Sequence, residues 1–192
     1  MNPSQGDFDL GKDIQEILIS EDQIMERVRE LGEDISADYA SLNPLLIGVL
    51  KGVVFFIADL LRAIFIPVEV DFMAVSSYSP EVSDQGLVRL VKDLEIPIMG
   101  RHVLFIEDVV DTGLTLNYLL RNLSMRSPAS LEVCALFNKP KHRLIDIPLK
   151  YVGFDLPDRF VVGYGLDYRE RYRNLRYIGL LKSTVLRDHP EP

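Results

Sequence analysis

The sequence holds one cysteine, Cys134, so no internal disulfide can form. That residue sits in an apparent strand, LEVCALF, Leu131 to Phe137, and reads as a buried thiol and not as a nucleophile. No apolar run approaches the roughly 20 residues that span a bilayer. The opening MNPSQGDFDLGKD has neither a basic region nor an apolar centre, so no signal peptide and no membrane association are expected, and the chain is expected in the cytoplasm. Basic charge is also scarce: 21 Lys and Arg stand against 29 Asp and Glu, a formal net charge of -8. That excludes a broad basic face for nucleic acid but leaves room for a small polyanionic ligand. There is no internal repeat and no low-complexity segment. No Walker A loop is present, and no G-x-G-x-x-G follows a strand.

What is present is an ordinary globular composition: 192 residues, 47% apolar and 26% charged, most simply one domain. The chain is organised around VLFIEDVVDTGLTLNYLL, Val103 to Leu120. Val103 to Ile106 is a short apolar run that reads as a buried strand. Glu107 to Thr115 is expected to be an acidic loop, and Leu116 to Leu120 the start of a helix. Thr112, Gly113 and Thr115 would put two hydroxyls and a bare backbone at that helix start, where free N–H groups and the helix dipole favour an anion such as phosphate. Glu107 and Asp108 would sit at the carboxyl end of the strand, where open α/β sheets bind ligands. Beside a phosphate, two carboxylates can accept hydrogen bonds from sugar hydroxyls or hold a hydrated Mg²⁺. The loop therefore suits a ligand that is sugar and phosphate together.

The flanking chain reads as alternating strands and helices, which predicts a parallel sheet covered on both faces. Ile14 to Ile19 is a brief strand. Ser20 and Gln23 form a capping box, and Ile24, Val28, Leu31 and Ile35 follow at helical spacing to about Tyr39. Pro44 to Leu50 is a second buried strand, turning through Lys51-Gly52 into an apolar helix, Val53 to Ile64. Val68 to Val75 alternates with period two. A long polar loop, Ser76 to Gly86, precedes a weaker strand, Leu87 to Leu94. After Phe137 comes the basic cluster Asn138 to Arg143, in which His142 reads as a surface residue. Tyr151 to Asp155 and Tyr177 to Leu181 are short strands, with the dense charges of Asp167 to Arg173 between them.

VLFIEDVVDTGLTL resembles the phosphoribosyl-pyrophosphate (PRPP) signature of type I phosphoribosyltransferases, and more narrowly that of the hypoxanthine-guanine phosphoribosyltransferases. FVVGYGLDYRERYR, Phe160 to Arg173, narrows the resemblance to the oxopurine branch. The resemblance covers about Ile14 to Leu181. It implies an α/β, type I phosphoribosyltransferase fold: a central, mostly parallel sheet flanked by helices, with a small hood subdomain built from the N- and C-terminal segments. The domain would span 14–181, with 1–13 and 182–192 as loose tails. The implied reaction is transfer of ribose 5-phosphate from PRPP to hypoxanthine or guanine, giving IMP or GMP and pyrophosphate, with Mg²⁺ as cofactor. The implied assembly is a homodimer or homotetramer.

The resemblance also implies roles. Glu107, Asp108, Asp111, Thr112, Gly113, Leu114 and Thr115 would hold the ribose and 5-phosphate, with Asp111 as catalytic base toward the purine. Leu114 stands where mammalian members carry Lys and bacterial ones commonly Leu. Lys51, Gly52 and Arg173 would bind pyrophosphate. Lys139, Phe160, Val161 and Asp167 would bind the purine, Lys139 at its six-position oxygen and Phe160 by stacking. Glu107, Asp108 and Asp167 would serve Mg²⁺. Ser77 and Tyr78 match the Ser-Tyr pair of a closing loop, although Ser79-Pro80-Glu81 replaces the usual glycine hinge and is expected to stiffen it. Two rivals remain open on the sequence: a nucleotide-binding regulator of the same fold, disfavoured by the acidic charge, and an enzyme for another base. Lys139 with Phe160 disfavours adenine and pyrimidines without separating hypoxanthine, guanine and xanthine.

Overall fold

The first long helix, α1, spans Glu21–Asp38 and begins as its sequence dictates. Ser20 Oγ accepts from the Gln23 N–H (3.3 Å), and Gln23 Oε1 accepts from the Ser20 N–H (2.9 Å), closing the capping box. Ile24, Val28, Leu31 and Ile35 recur on one face and are almost wholly buried. Burying such a side chain contributes about 1.5–3 kcal/mol each, so this face, and not helix propensity, holds α1 in place. The structure is a computed structural model and describes residues 10–77 and 88–187.

The main sheet has six strands. In chain order after β1 (Ile14–Ile19) they are β2 (Leu45–Leu50), β3 (Glu69–Ser77), β4 (Val88–Lys92), β5 (His102–Val110), β6 (Ser130–Asn138) and β7 (Tyr151–Asp155). Their order across the sheet is β4-β3-β2-β5-β6-β7. All neighbours run parallel except β4, an antiparallel edge strand on β3. Helices α2 (Val54–Ala63) and α1 cover one face, and α3 (Leu114–Ser124) covers the other.

Alternation along the strands explains why their sequences read as continuous apolar runs. Leu104 and Ile106 of β5 and Cys134 and Leu136 of β6 pack with α1 and α2. Val103 and Phe105, Val133 and Ala135 point the other way, onto Leu116, Leu119 and Leu123 of α3. Cys134 is thus a core thiol, and burial pushes it above the ordinary thiol range.

A second, three-stranded antiparallel sheet forms the hood. β1 pairs with β9 (Ile178–Leu181), and β9 pairs with β8 (Val161–Val162). The Tyr164 hydroxyl donates to Asp59 on α2 (2.7 Å), and the Tyr172 hydroxyl donates to Asp13 (2.7 Å). The first bond ties the hood to α2; the second joins the segment before β1 to the segment before β9 within the hood.

Three expectations change in detail. β5 does not stop at Ile106: it stays paired with β6 through Val110↔Asn138, so Glu107 and Asp108 are strand residues. α3 begins at Leu114, two residues earlier than the apolar spacing implies, because Gly113 supplies the cap through its backbone. The stretches expected as loose tails contain a 3-10 turn at Leu10–Asp13 and a short helix, α4, at Ser183–Arg187. Ser77 ends β3; Tyr78 and Ser79-Pro80-Glu81 lie outside the described residues. Among the described residues no helix is long and apolar enough to cross a membrane.

Candidate active site

β2 and β5 lie side by side, yet the chain leaves them in opposite directions, to β3 and to β6. A crevice opens at such a switch point, outside the carboxyl ends of the strands. Two adjoining cavities of about 280 Å³ and 290 Å³ occupy it. The first lies between the Lys51-Gly52 turn after β2 and the stretch from Glu107 to Thr115. The second lies under the hood, among Lys139, Phe160, Val161, Asp167 and Arg173. Gly52, Asp108, Val109 and Asp111 line both.

One end of the first cavity has the geometry of an anion cradle. Gly113 takes φ 82°, a left-handed conformation, and caps α3 without a side chain. The first helical bond inward from this cap is Asn117 N–H to Gly113 O (2.9 Å), so the N–H groups of the first turn have no partner within the helix. The Thr112 carbonyl accepts from Leu144 and Ile145 (3.0 and 3.3 Å), which pins the loop. Thr115 lines the cavity; Leu114 points away and is exposed. At the other end the Leu50–Lys51 peptide is cis, and Lys51 lines the cavity with its Nζ 3.1 Å from Glu170 Oε2.

Glu107 and Asp108 lie deep in the molecule and keep part of their surface open to the crevice. Glu107 Oε2 is buried and has no hydrogen-bond partner. Burial, with the Asp108 charge added, holds the Glu107 carboxyl well above the usual range. Burial, with the Asp167 charge added, pushes Asp108 up to about 6, against the Val109 N–H (2.9 Å) and Arg173, which pull it down. A buried, underbonded carboxylate pair beside an anion cradle is an environment that a divalent cation would stabilise. Among the described residues no three His, Cys, Asp or Glu converge on one point. Two carboxylates suffice for Mg²⁺ when substrate phosphates and water complete its shell, so the pair fits that ion. Asp167 shares the second cavity with Asp108 and pairs with Arg173 Nη2 (2.8 Å).

The second cavity has an aromatic wall and a cation. Phe160 is part-exposed toward it and meets Tyr168 edge-on, with centroids 5.5 Å apart. Lys139 is buried, with Nζ 3.5 Å from Asp111 Oδ2. Arg173 donates to the Gly165 carbonyl (2.8 Å).

The structure thus brings the sequence-expected residues into one crevice, apart from Leu114 and the Ser77-Tyr78 pair. Sequence reasoning missed Glu170, whose carboxylate lies 3.1 Å from Lys51 Nζ and 3.4 Å from Arg173 Nη2. Its only sequence signal is membership of the charged run. His142 is exposed, as expected of a surface residue, and its Nδ1 lies 2.7 Å from Asp111 Oδ1 while its Nε2 lies 2.5 Å from Asp158 Oδ1, contacts that the sequence does not signal.

A mostly parallel sheet whose switch point carries a carboxylate pair, an anion cradle and an aromatic-walled cavity defines a phosphoribosyltransferase, and the phosphoribosyl transferase domain family matches residues 15–169. The chain is 53% identical over 179 residues to the hypoxanthine-guanine phosphoribosyltransferase of Mycobacterium tuberculosis H37Rv, covering 90% of this chain and 89% of that one. It is 49% identical over 173 residues to the Bacillus subtilis protein of the same name, covering 90% and 96%. Among solved structures, a hypoxanthine phosphoribosyltransferase from Staphylococcus aureus superposes with a TM-score of 0.86 at 45% identity, covering 91% of this chain and 95% of that one. The Trypanosoma cruzi hypoxanthine phosphoribosyl transferase gives 0.87 at 41%, covering 92% and 96%. The chain belongs to the phosphoribosyltransferase family, in its hypoxanthine-guanine branch.

Proposed function

We propose that this protein is a 6-oxopurine phosphoribosyltransferase of purine salvage. It transfers ribose 5-phosphate from PRPP to hypoxanthine or guanine, giving IMP or GMP and pyrophosphate. The observation that carries the reading is the pair of adjoining cavities sharing Asp108 and Asp111: one suits a sugar phosphate, the other a flat base bearing an oxygen.

In this reading Thr112, Gly113, Thr115 and the start of α3 hold the 5-phosphate, and Glu107 and Asp108 hold the ribose hydroxyls. Lys139 donates to the six-position oxygen and Phe160 stacks on the ring, with Val161 at the base edge. The bond from ribose C1 to the pyrophosphate oxygen breaks as the bond to a purine ring nitrogen forms, and the proton on that nitrogen passes to Asp111. Lys51 and Arg173 neutralise the departing pyrophosphate. Mg²⁺, held by Glu107 and Asp108 with the substrate phosphates, would supply further neutralisation of that charge. Holding the two substrates in line can supply about 7–11 kcal/mol of the barrier. The family's habit supports a homodimer or homotetramer as the working assembly.

The test is turnover of purified protein with PRPP, Mg²⁺ and each of hypoxanthine, guanine, xanthine and adenine, following nucleotide formation. Conversion of hypoxanthine or guanine is expected. Conversion of adenine alone would overturn the reading of the base cavity, and tight PRPP binding without turnover would favour a regulator. For Asp111→Asn, kcat is expected to fall about 10²–10⁴-fold with PRPP affinity nearly unchanged; equal losses in both would remove Asp111 from the role of base.

A further inference from the structure

Asp111 reaches the crevice from the loop between β5 and α3, yet the bonds that orient its carboxylate come from another element. β6 ends at Asn138, and a 3-10 turn, Pro140–His142, follows at once. The turn is tied at its start, where the Lys139 N–H donates to the Val110 carbonyl (2.9 Å), and closed by its own bond from the His142 N–H to the Lys139 carbonyl (3.1 Å). It carries the His142 ring to Asp111, which lines both cavities. There Nδ1 lies 2.7 Å from Asp111 Oδ1 and Nε2 lies 2.5 Å from Asp158 Oδ1. Asp111 Oδ2, the other oxygen, faces Lys139 Nζ at 3.5 Å. Asp158 stands two residues before Phe160, in the segment entering the hood.

We infer that His142 is a positioning residue for the transfer reaction: it fixes the Asp111 carboxylate toward the base cavity by anchoring it, through the imidazole, to Asp158. The inference rests on the proposed role of Asp111 as base. The ring lies between two carboxylate oxygens, one at each ring nitrogen, and a carboxylate oxygen is a hydrogen-bond acceptor. Charge-assisted bonds of this kind are short and directional. Asp111 and Asp158 flank the His142 ring from the loops after β5 and β7, and Lys139, from the end of β6, faces the bridge at Asp111 Oδ2. With His142 at Oδ1, the Oδ2 side of Asp111 is left to Lys139 and to the substrate. The bridge also ties the segment bearing Phe160 to the loop bearing the base, so the purine's stacking face and its proton acceptor are set by one side chain.

All three bridge side chains are 43–50% exposed. Exposed ion pairs contribute little to folding, so a purely structural role predicts almost no effect of removing the ring. A positioning role predicts an effect confined to turnover. His142→Ala is expected to lower kcat about ten-fold, the worth of one charge-assisted hydrogen bond, with KM for PRPP and the melting temperature nearly unchanged. His142→Asn, whose amide nitrogen overlaps Nδ1, should recover most of that loss. In an Asp111→Asn background, His142→Ala should cost nothing further, because its effect runs through Asp111. Asp158→Asn should be silent in the His142→Ala background for the same reason.

The experiment is this set of steady-state cycles on the full chain. Wild-type turnover near that of His142→Ala would overturn the inference, as would a His142→Ala loss that persists undiminished beside Asp111→Asn. Failure of the wild type to convert any base is a different result: it overturns the proposed function itself, and the positioning role falls with it.

Discussion

A Cβ placed on Gly52 would stand 1.8 Å from Asp108 Oδ2 and 2.9 Å from its Cγ. The turn after β2 therefore lies directly on the carboxylate at the end of β5, with no room for a side chain between them. Gly52→Ala must displace either the turn or Asp108. A shift of about 1 Å in a catalytic constellation costs roughly 10²-fold, so turnover should fall at least that far. Steady-state kinetics with a melting curve checks this; activity within a few-fold of wild type would show that the turn can move without cost.

Glu170 sits between the two cations assigned to pyrophosphate, as a carboxylate in a place suited to a phosphate. Lys51 and Glu170 are both largely exposed, so the pair is weak. Glu170→Gln is expected to tighten binding of Mg²⁺-pyrophosphate about two- to five-fold. Calorimetric titration measures it, and weaker binding would mean that Glu170 orients the cations instead of competing for them.

The buried carboxylate pair gives a pH dependence with a definite sign. Asp108 is raised from its ordinary 3.8 to about 6, and Glu107 is raised as well, both chiefly by burial. Between the ordinary carboxylate range and these raised values, the folded protein binds protons that the unfolded chain has released. The stability that Asp108 contributes is therefore full at about pH 4 and lost as pH rises through about 6, and Glu107 acts in the same direction. Without Mg²⁺, Glu107→Gln should melt higher than wild type at pH 7–8, with the gap closing toward about pH 4. Comparing the two proteins removes the opposing contribution of Asp38, Asp71 and Asp93, whose carboxyls are lowered. Adding Mg²⁺ with PRPP at pH 7–8 should raise the wild-type melting temperature more than that of Glu107→Gln.

Ser20→Ala removes the hydroxyl that caps α1, far from the crevice. It should cost about 1 kcal/mol, or about 2–4 °C in melting temperature, and leave kcat and KM unchanged. Thermal unfolding beside a kinetic assay tests both halves, and a kinetic effect would show that α1 communicates with the site.

Much of this molecule is determined by local chemistry that a sequence carries openly. The helical spacing of Ile24, Val28, Leu31 and Ile35, the Ser20-Gln23 box, and apolar runs in β2, β5 and β6 each follow from one side chain's preference or from burial on both faces of a sheet. The Glu107 to Thr115 stretch suggested a sugar-phosphate ligand because its donors and acceptors are contiguous in the chain, and the structure gathers most of them around one cavity.

The rest depended on distances between segments far apart in sequence. That β5 continues through Glu107 and Asp108 is decided by pairing with β6, which no residue of β5 reveals. The weight on the two carboxylates comes from depth, and an interior strand gains that depth only when the six-stranded sheet assembles around it. Glu170 reaches Lys51 across 119 residues, and His142 reaches Asp111 across 31. A glutamate in a charged run and a histidine after a proline carry no local signal of such contacts. Side-chain preferences set each strand, helix and cradle; the hydrogen bonds between loops, which form only when β2, β5, β6 and β8 meet at one edge, decided which of them share a site.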